Sequence, residues 1–329
     1  MKFYFTSLSK NGELDGCLDH HVCTQFERVS PQDAEYVGLV ITHTNSYVFD
    51  KDQFDLIKNK KVVIFDYVEY GWQITNLNHF YGQNTQKHER LIINKEYLLL
   101  DEAIKSLQVV CYFKRELPKD FTSKYNTYPA EYVCIQPIEE PVSFEAFNGR
   151  AISIFFNWGL SNPNRLKLHG ALYSLSHEYG YSIVSARNHL EGCQKDNPEN
   201  LLVFSQFAPH YARTSMEEVL HLQRSSKISI SLNGCGVKCF RNAESPINSV
   251  MAIQQNTLAW TSEWDDTNAI VLPNKKDGMI DEQASITKML DILKNPENLY
   301  ARYIKCIENN KIYTQQNYCN ELRRRIASH

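Results

Sequence analysis

Several signals are missing from this sequence, and each absence removes a class of protein. No apolar run approaches the ~20 residues that a membrane-crossing helix needs, so no integral membrane segment is expected. The opening MKFYFTSLSKNGELDG carries an early lysine, and its apolar stretch is too short for a secretory leader. No Asn-x-Ser/Thr sequon occurs. Charge of one sign is also lacking. With 35 basic against 38 acidic residues and a net charge of -3, neither a nucleic-acid partner nor a polybasic membrane anchor is expected. Nine cysteines is an odd number, and they are scattered through strand-like and helical contexts, so they read as reduced, buried thiols in a cytoplasmic setting. There is no internal repeat and no low-complexity segment.

What is present reads as a globular α/β chain. A length of 329 residues suits two domains of about 150 each, and 43% hydrophobic residues supply a core for both. Strands are expected at Lys2–Phe5, Tyr36–Thr42, Lys61–Phe65, Leu107–Phe113 and Glu131–Gln136. Asp50 to Lys58 reads as a short helix, and Leu91–Ile104 as mixed helix and loop. Pro137–Gly149, with two prolines and two consecutive glutamates, reads as a linker between units 1–145 and 150–329. The pattern then restarts with a strand at Ala151–Phe156 and a helix from Arg165 to Tyr179, striped by Leu166, Leu168, Ala171, Leu172 and Leu175. Further strands are expected at Ser182–Ser185, Leu201–Phe204 and Asn268–Leu272. A helix opens at Ser215, with Glu218 completing a capping-box pattern. Terminal helices at Ile286–Leu293 and Glu297 to about Ala327 are expected to return and brace the first unit. Strands alternating with helices imply mostly parallel sheets.

The most informative stretch is Ser226–Glu263. Lys227–Leu232 alternates as a strand, and Asn233-Gly234-Cys235-Gly236 breaks it. Proline suits the first position of a helix and little else in it. Ser245 would therefore cap a helix opening at Pro246, with Ile247, Val250, Met251 and Ile253 on its apolar side. Thr257–Thr261 would be the next strand, with Glu263 just past it. Lys238, Arg241 and Glu244 then fall in the connection, at the carboxyl edge where open α/β sheets bind ligands. Two cations beside a helix start suit a phosphate, and a carboxylate suits sugar hydroxyls. The same residues also fit a plain glycine turn with a solvated surface.

Strand, Gly-rich turn and Arg241-x-x-Glu244 together resemble the donor-binding half of glycosyltransferases of the GT-B fold, with the exostosin-like branch and the family-1-like enzymes as the points of similarity. Phe113-Lys114-Arg115-Glu116 resembles a phrase from the same broad group. Where the exostosin-like branch has Gly-Cys-Ile-Pro-Val after the Glu, this chain has Asn248-Ser249-Val250-Met251-Ala252. The resemblance implies two Rossmann-like domains facing a cleft. It also implies a nucleotide-sugar donor as co-substrate, a glycan or lipid-linked acceptor, a part in polysaccharide biosynthesis, and no further cofactor. The donor side would hold Arg165, Gly234, Gly236, Lys238, Arg241 and Glu244, with Arg165 placed there by topology at the start of its helix. Without a sequon or leader, a lumenal enzyme such as the animal exostosins is not expected.

On the first unit, Asp66 and Glu69 follow the Lys61–Phe65 strand, at the ligand edge. Asp66 or Glu69 suits a base or an acceptor-binding carboxylate, and Asp66 equally suits a helix cap. His21, in Asp19-His20-His21, suits a base for an acceptor hydroxyl and equally a surface pair. Lys114 and Arg115 suit phosphates or neighbouring carboxylates. No metal is expected. Cys17, His20, His21 and Cys23 match no usual zinc spacing, and Asp50-Lys51-Asp52 reads as a helix start. Two other functions remain open. Gly234-Cys235-Gly236 begins the fingerprint of a nicotinamide-dependent oxidoreductase, but Cys239 stands where its third glycine belongs. The altered 248–252 stretch fits a glycan- or protein-binding module without chemistry.

Overall fold

The computed structural model describes residues 1–7, 26–41, 50–67, 102–115, 117, 125–131, 133, 136–157, 163–187, 215–232, 245–255 and 264–329. Two parallel sheets organise the chain. The first contains β1 (Lys2–Thr6), β2 (Glu27–Arg28), β3 (Tyr36–Ile41), β4 (Lys61–Asp66), β5 (Gln108–Lys114) and β6 (Thr127–Pro129), in the order β2-β1-β3-β4-β5-β6. The second contains β7 (Ile152–Asn157), β8 (Ile183–Arg187), β9 (Ser226–Ser231), β10 (Val250–Gln254) and β11 (Ile270–Leu272), in the order β11-β10-β9-β7-β8. Both sheets are wound alike. The opening strand lies inside, its successor pairs on one side, and the chain then reverses to build outward on the other. The reversal falls between β1 and β3, and between β7 and β9.

Burial explains the strand choices. In β3 and β4, Val37, Leu39, Val62 and Ile64 pack into one core, while Val40, Val63 and Phe65 pack into another on the opposite face. Parallel strands covered on both faces carry such continuous β-branched runs. Gly38 is required because Phe5 on β1 lies over it, and a Cβ there would overlap the Phe5 ring.

Among the described residues, seven helices cover the sheets. Helix α1 (Lys51–Ile57) starts where expected, with Asp50 Oδ1 accepting from the Asp52 and Gln53 amides. Residues 136–150 carry α2 (Phe144–Asn148), capped by Ser143. Arg150 ties this connection to the second sheet. Its guanidinium lies against the Phe147 and Tyr303 rings, which stack on each other, and donates to the carbonyls of Ser226 and Asn248 at 2.7 and 2.6 Å. Helix α3 (Pro163–Tyr179) buries Leu168, Leu172 and Leu175 and ends at Gly180, whose φ of 71° is the left-handed stop that glycine adopts freely. Helix α4 (Met216–Arg224) carries the predicted capping box between Ser215 and Glu218.

The terminal segment divides into α5 (Glu282–Leu293), α6 (Pro296–Asn310), a 3₁₀ turn at Lys311–Tyr313, and α7 (Gln315–Ala327). Helix α7 returns to the first sheet. Tyr318, Leu322 and Ile326, four residues apart on one face, share a core with Phe3, Phe65 and Phe113. Arg323 stacks over Phe26 and Arg325 over Tyr128. The bracing expected from the terminal helices is therefore present.

Two expectations are corrected. Pro246 does not open a helix: Ser245–Ile247 is a single 3₁₀ turn, and Val250–Gln254 is strand β10, buried at every position. A short apolar run that is buried all round carries no period to separate strand from helix. The expected strand at Thr257–Thr261 falls outside the described residues. The last described strand of the first sheet is Thr127–Pro129, paired with Tyr112–Lys114, whereas Glu131 and Val133 belong to no strand. Pro129 is tolerated because β6 is an edge among the described strands. Val133 is buried in the core that α7 joins, which accounts for its strand-like pattern.

Candidate functional site

The second sheet's reversal point has its carboxyl side defined by the end of β7, the first turn of α3 and the residue after β9. Three residues on two turns of α3 face inward there: Asn164, Arg165 and His169, at 0%, 5% and 0% exposure. Arg165 Nη2 donates to the Leu232 carbonyl at 3.1 Å, linking the helix start to the end of β9. His169 lies edge-on to Phe156 of β7. Asn164 Oδ1 accepts from the Ile280 amide at 2.9 Å, and its Nδ2 donates to Gln254 Oε1 at 3.5 Å. Gln254 Nε2 donates to Asn274 Oδ1 at 3.0 Å, and Asn274 Nδ2 to the Gln255 carbonyl at 2.8 Å. A chain of amides thus knits α3 to the ends of β10 and β11. Asn164 and Gln254 stay buried because each has a partner.

The Gly-rich segment leaves this edge at Leu232. The described chain resumes at Ser245, and that turn sits at the amino end of β10, where Ser249 Oγ donates to the Ser245 carbonyl at 2.8 Å and lies 2.6 Å from Ser229 Oγ. Gly234, Gly236, Lys238, Arg241 and Glu244 lie outside the described residues, as do His21 and Glu69 on the first unit.

The first sheet's carboxyl edge carries charge. Asp66 ends β4 and Lys114 ends β5, in register with it. Lys114 Nζ lies 3.2 Å from Asp66 Oδ1, and Tyr112 Oη donates to Asp66 Oδ2 at 2.7 Å. Asp66 is 1% exposed and Lys114 is fully buried. Arg115 continues this edge, its Nη1 donating to the Tyr67 carbonyl at 3.2 Å. Charges this deep are tolerated only as partners. Phe113-Lys114-Arg115 therefore turns its cations inward, against Asp66 and a backbone carbonyl.

Sequence reasoning singled out Asp66, Lys114 and Arg165 from their places after strands or before a helix. It missed Tyr112, Asn164, His169, Gln254 and Asn274. The signal available was the i, i+4 pair Arg165 and His169, which continues the buried face of α3. Among the described residues no group of three or more His, Cys, Asp or Glu side chains is placed to hold a metal. Cys111, Cys306 and Cys319 are free and buried. No helix among the described residues is long and apolar enough to cross a membrane.

No protein-family model matches the chain, and no curated protein sequence does. Solved structures do match in fold. The chain is similar to the pneumococcal O-GlcNAc transferase GtfA in complex with UDP and GlcNAc, at TM-score 0.55 and 7% identity over 89% of this chain and 56% of that one. It is similar to sucrose-phosphate synthase from Thermosynechococcus elongatus, at TM-score 0.55 and 10% identity over 90% of this chain and 75% of that one. A third likeness is to an E. coli trehalose-6-phosphate protein bound with UDP-2-fluoro glucose, at TM-score 0.52 and 11% identity over 90% of this chain and 74% of that one. The chain thus spans little more than half the length of the first and about three quarters of the others. The two-sheet architecture with its returning helix is that of the GT-B fold.

Proposed function

We propose that the chain is a glycosyltransferase that takes a nucleotide sugar and passes its sugar to a hydroxyl of a glycan or lipid-linked acceptor, without a bound metal. The observation that carries this reading is the buried start of α3. Arg165 stands at the reversal point of the second sheet, bonded to the carbonyl of Leu232, where the segment with Gly234, Gly236, Lys238, Arg241 and Glu244 departs. In open α/β sheets this crevice is the ligand position. Arg165, Lys238 and Arg241 would meet the donor diphosphate and stabilise it as it leaves, by fixed positive charge. Glu244 would accept hydrogen bonds from donor hydroxyls. The glycines would let the backbone approach. A uridine nucleotide is the first choice, because two of the similar structures hold UDP or a UDP sugar.

On the first unit, a base would take the acceptor proton if the reaction inverts configuration. Of the three candidates, Asp66 already has Tyr112 and Lys114 on its two oxygens. This favours Glu69 or His21 as base, with Asp66 joining the ends of β4 and β5. A cytoplasmic setting and a part in polysaccharide biosynthesis fit the reading.

Thermal stabilisation by UDP, GDP, CMP and NAD(H), each with and without divalent metal, tests it. A ligand at a hundredfold excess over Kd raises stability by about 2.7 kcal/mol. We expect a shift with one nucleoside diphosphate, independent of metal and lost in Arg165→Gln and Arg241→Ala. A shift with NAD(H) alone would point to an oxidoreductase. No shift with any nucleotide would favour a glycan- or protein-binding module on the same fold.

A further inference from the structure

Where α7 docks on the first sheet it leaves a cavity of about 440 Å³. One wall comes from the β6 edge, with Tyr128 and Glu131. The other comes from the 3₁₀ turn and α7, with Tyr313, Asn317, Glu321 and Arg325. Its size falls within the roughly 300–1,000 Å³ of small-molecule sites, and like them it sets a few polar groups into apolar walls.

The polar groups indicate the occupant. Arg325 lies over the Tyr128 ring, 4.6 Å from its centre, and gives its Nε to Glu321 Oε1 at 2.6 Å. Its two terminal nitrogens make no hydrogen bond among the described residues, so a held, planar pair of donors borders the cavity. Asn317 gives Nδ2 to the Lys311 carbonyl at 2.7 Å, and its Oδ1 accepts from no described residue. The wall therefore offers donors and acceptors together. Glu131 adds a carboxylate to the wall, which disfavours a phosphate or carboxylate ligand, while Glu321 is already bonded by Arg324 and Arg325. An acyl chain would cover Arg325 and Asn317 without giving them partners, at a desolvation cost. A neutral sugar meets both demands. Its hydroxyls donate and accept, and its C–H faces pack on aromatic rings.

We propose that this cavity is a carbohydrate-binding site for a neutral glycan segment, distinct from the carboxyl edge of the second sheet. It does not rest on the transferase reading, and it would hold a glycan whether or not the chain transfers one.

Saturation-transfer NMR on the full chain with millimolar maltotriose, cellotriose and chitotriose tests the site, with glucose 6-phosphate as the charged competitor. We expect at least one neutral trisaccharide to bind, with affinity about tenfold weaker in Asn317→Ala and in Arg325→Lys, the scale of one lost hydrogen bond. The nucleotide-induced thermal shift should be unchanged in both variants, which also shows that they fold. Absence of trisaccharide binding in the unaltered chain overturns the proposal. So does binding that both variants retain in full, or tighter binding of glucose 6-phosphate than of every trisaccharide. Loss of any nucleotide response with trisaccharide binding kept would sink the donor-site reading and leave this one standing.

Discussion

At the carboxyl edge of the first sheet, β4 and β5 meet through charge, with Asp66 held by Lys114 and Tyr112 in a site closed to water. At the corresponding edge of the second sheet, α3, β10 and β11 meet through the amides of Asn164, Gln254 and Asn274. The winding is the same and the fastening differs. An ion pair in a dry interior has lost the solvation of two charges and persists only while both partners remain. A chain of amides gives up less solvation, and each link depends mainly on its own hydrogen bond. At the second edge Arg165 donates to the Leu232 carbonyl, at the place proposed for a diphosphate. Substitutions at the first edge should register in stability, and those around Arg165 in ligand binding.

The sharpest break of this comparison is Lys114→Met, which removes the ammonium 3.2 Å from Asp66 Oδ1. We expect a loss of about 3–5 kcal/mol in urea unfolding, with most of it recovered in the double variant Asp66→Leu/Lys114→Met. A single-variant cost below about 1 kcal/mol would mean that the pair is solvated, and the contrast would collapse. Next in size is Asn164→Leu. It strips the Ile280 amide of its acceptor and should cost about 1–3 kcal/mol, with faster hydrogen exchange at that amide and no coupling to Lys114→Met.

Glu321 on α7 supplies an exposed counterpart to the buried pair. Arg324, with Arg325 assisting, lowers its carboxyl to about 2. Because the folded value lies below the unfolded one, its stabilisation is complete above the ordinary carboxylate range and disappears as pH falls towards 2. The side chain is 44% exposed, so screening limits Glu321→Gln to less than about 1 kcal/mol at neutral pH. The smallest effect should come from the thiols. Burial raises Cys111 in the first sheet to about 11 and Cys306 behind the second to about 12. Neither should be alkylated by iodoacetamide in the native protein at about pH 8, where both remain thiols. Rapid labelling of one alone would show that its core opens more readily than the other.

Much of the scaffold was legible. Tyr36–Ile41 and Lys61–Asp66 announce themselves as continuous β-branched runs, Asp50 and Ser215 as caps, and Leu168, Leu172 and Leu175 as a helical stripe. Val250–Gln254 was misread beside Pro246, because burial on both faces erases the alternation that marks a strand. The candidate site was legible only where charge stands beside a strand end or a helix start, as at Asp66, Lys114 and Arg165. Asn164, Gln254 and Asn274 gave no warning, since an asparagine or glutamine has the same local signature in a solvated loop as in a buried network.

The sequence by itself determined the α/β class, the two-part organisation, most element positions and the return of a terminal helix, because these follow from local periodicity, caps and turn residues. Tertiary structure alone decided which charges became partners, which amides joined three elements, and that α7 closes a cavity against β6. Those outcomes depend on residues far apart in the chain, such as Asp66 with Lys114 and Tyr128 with Arg325, arriving at one place with water excluded.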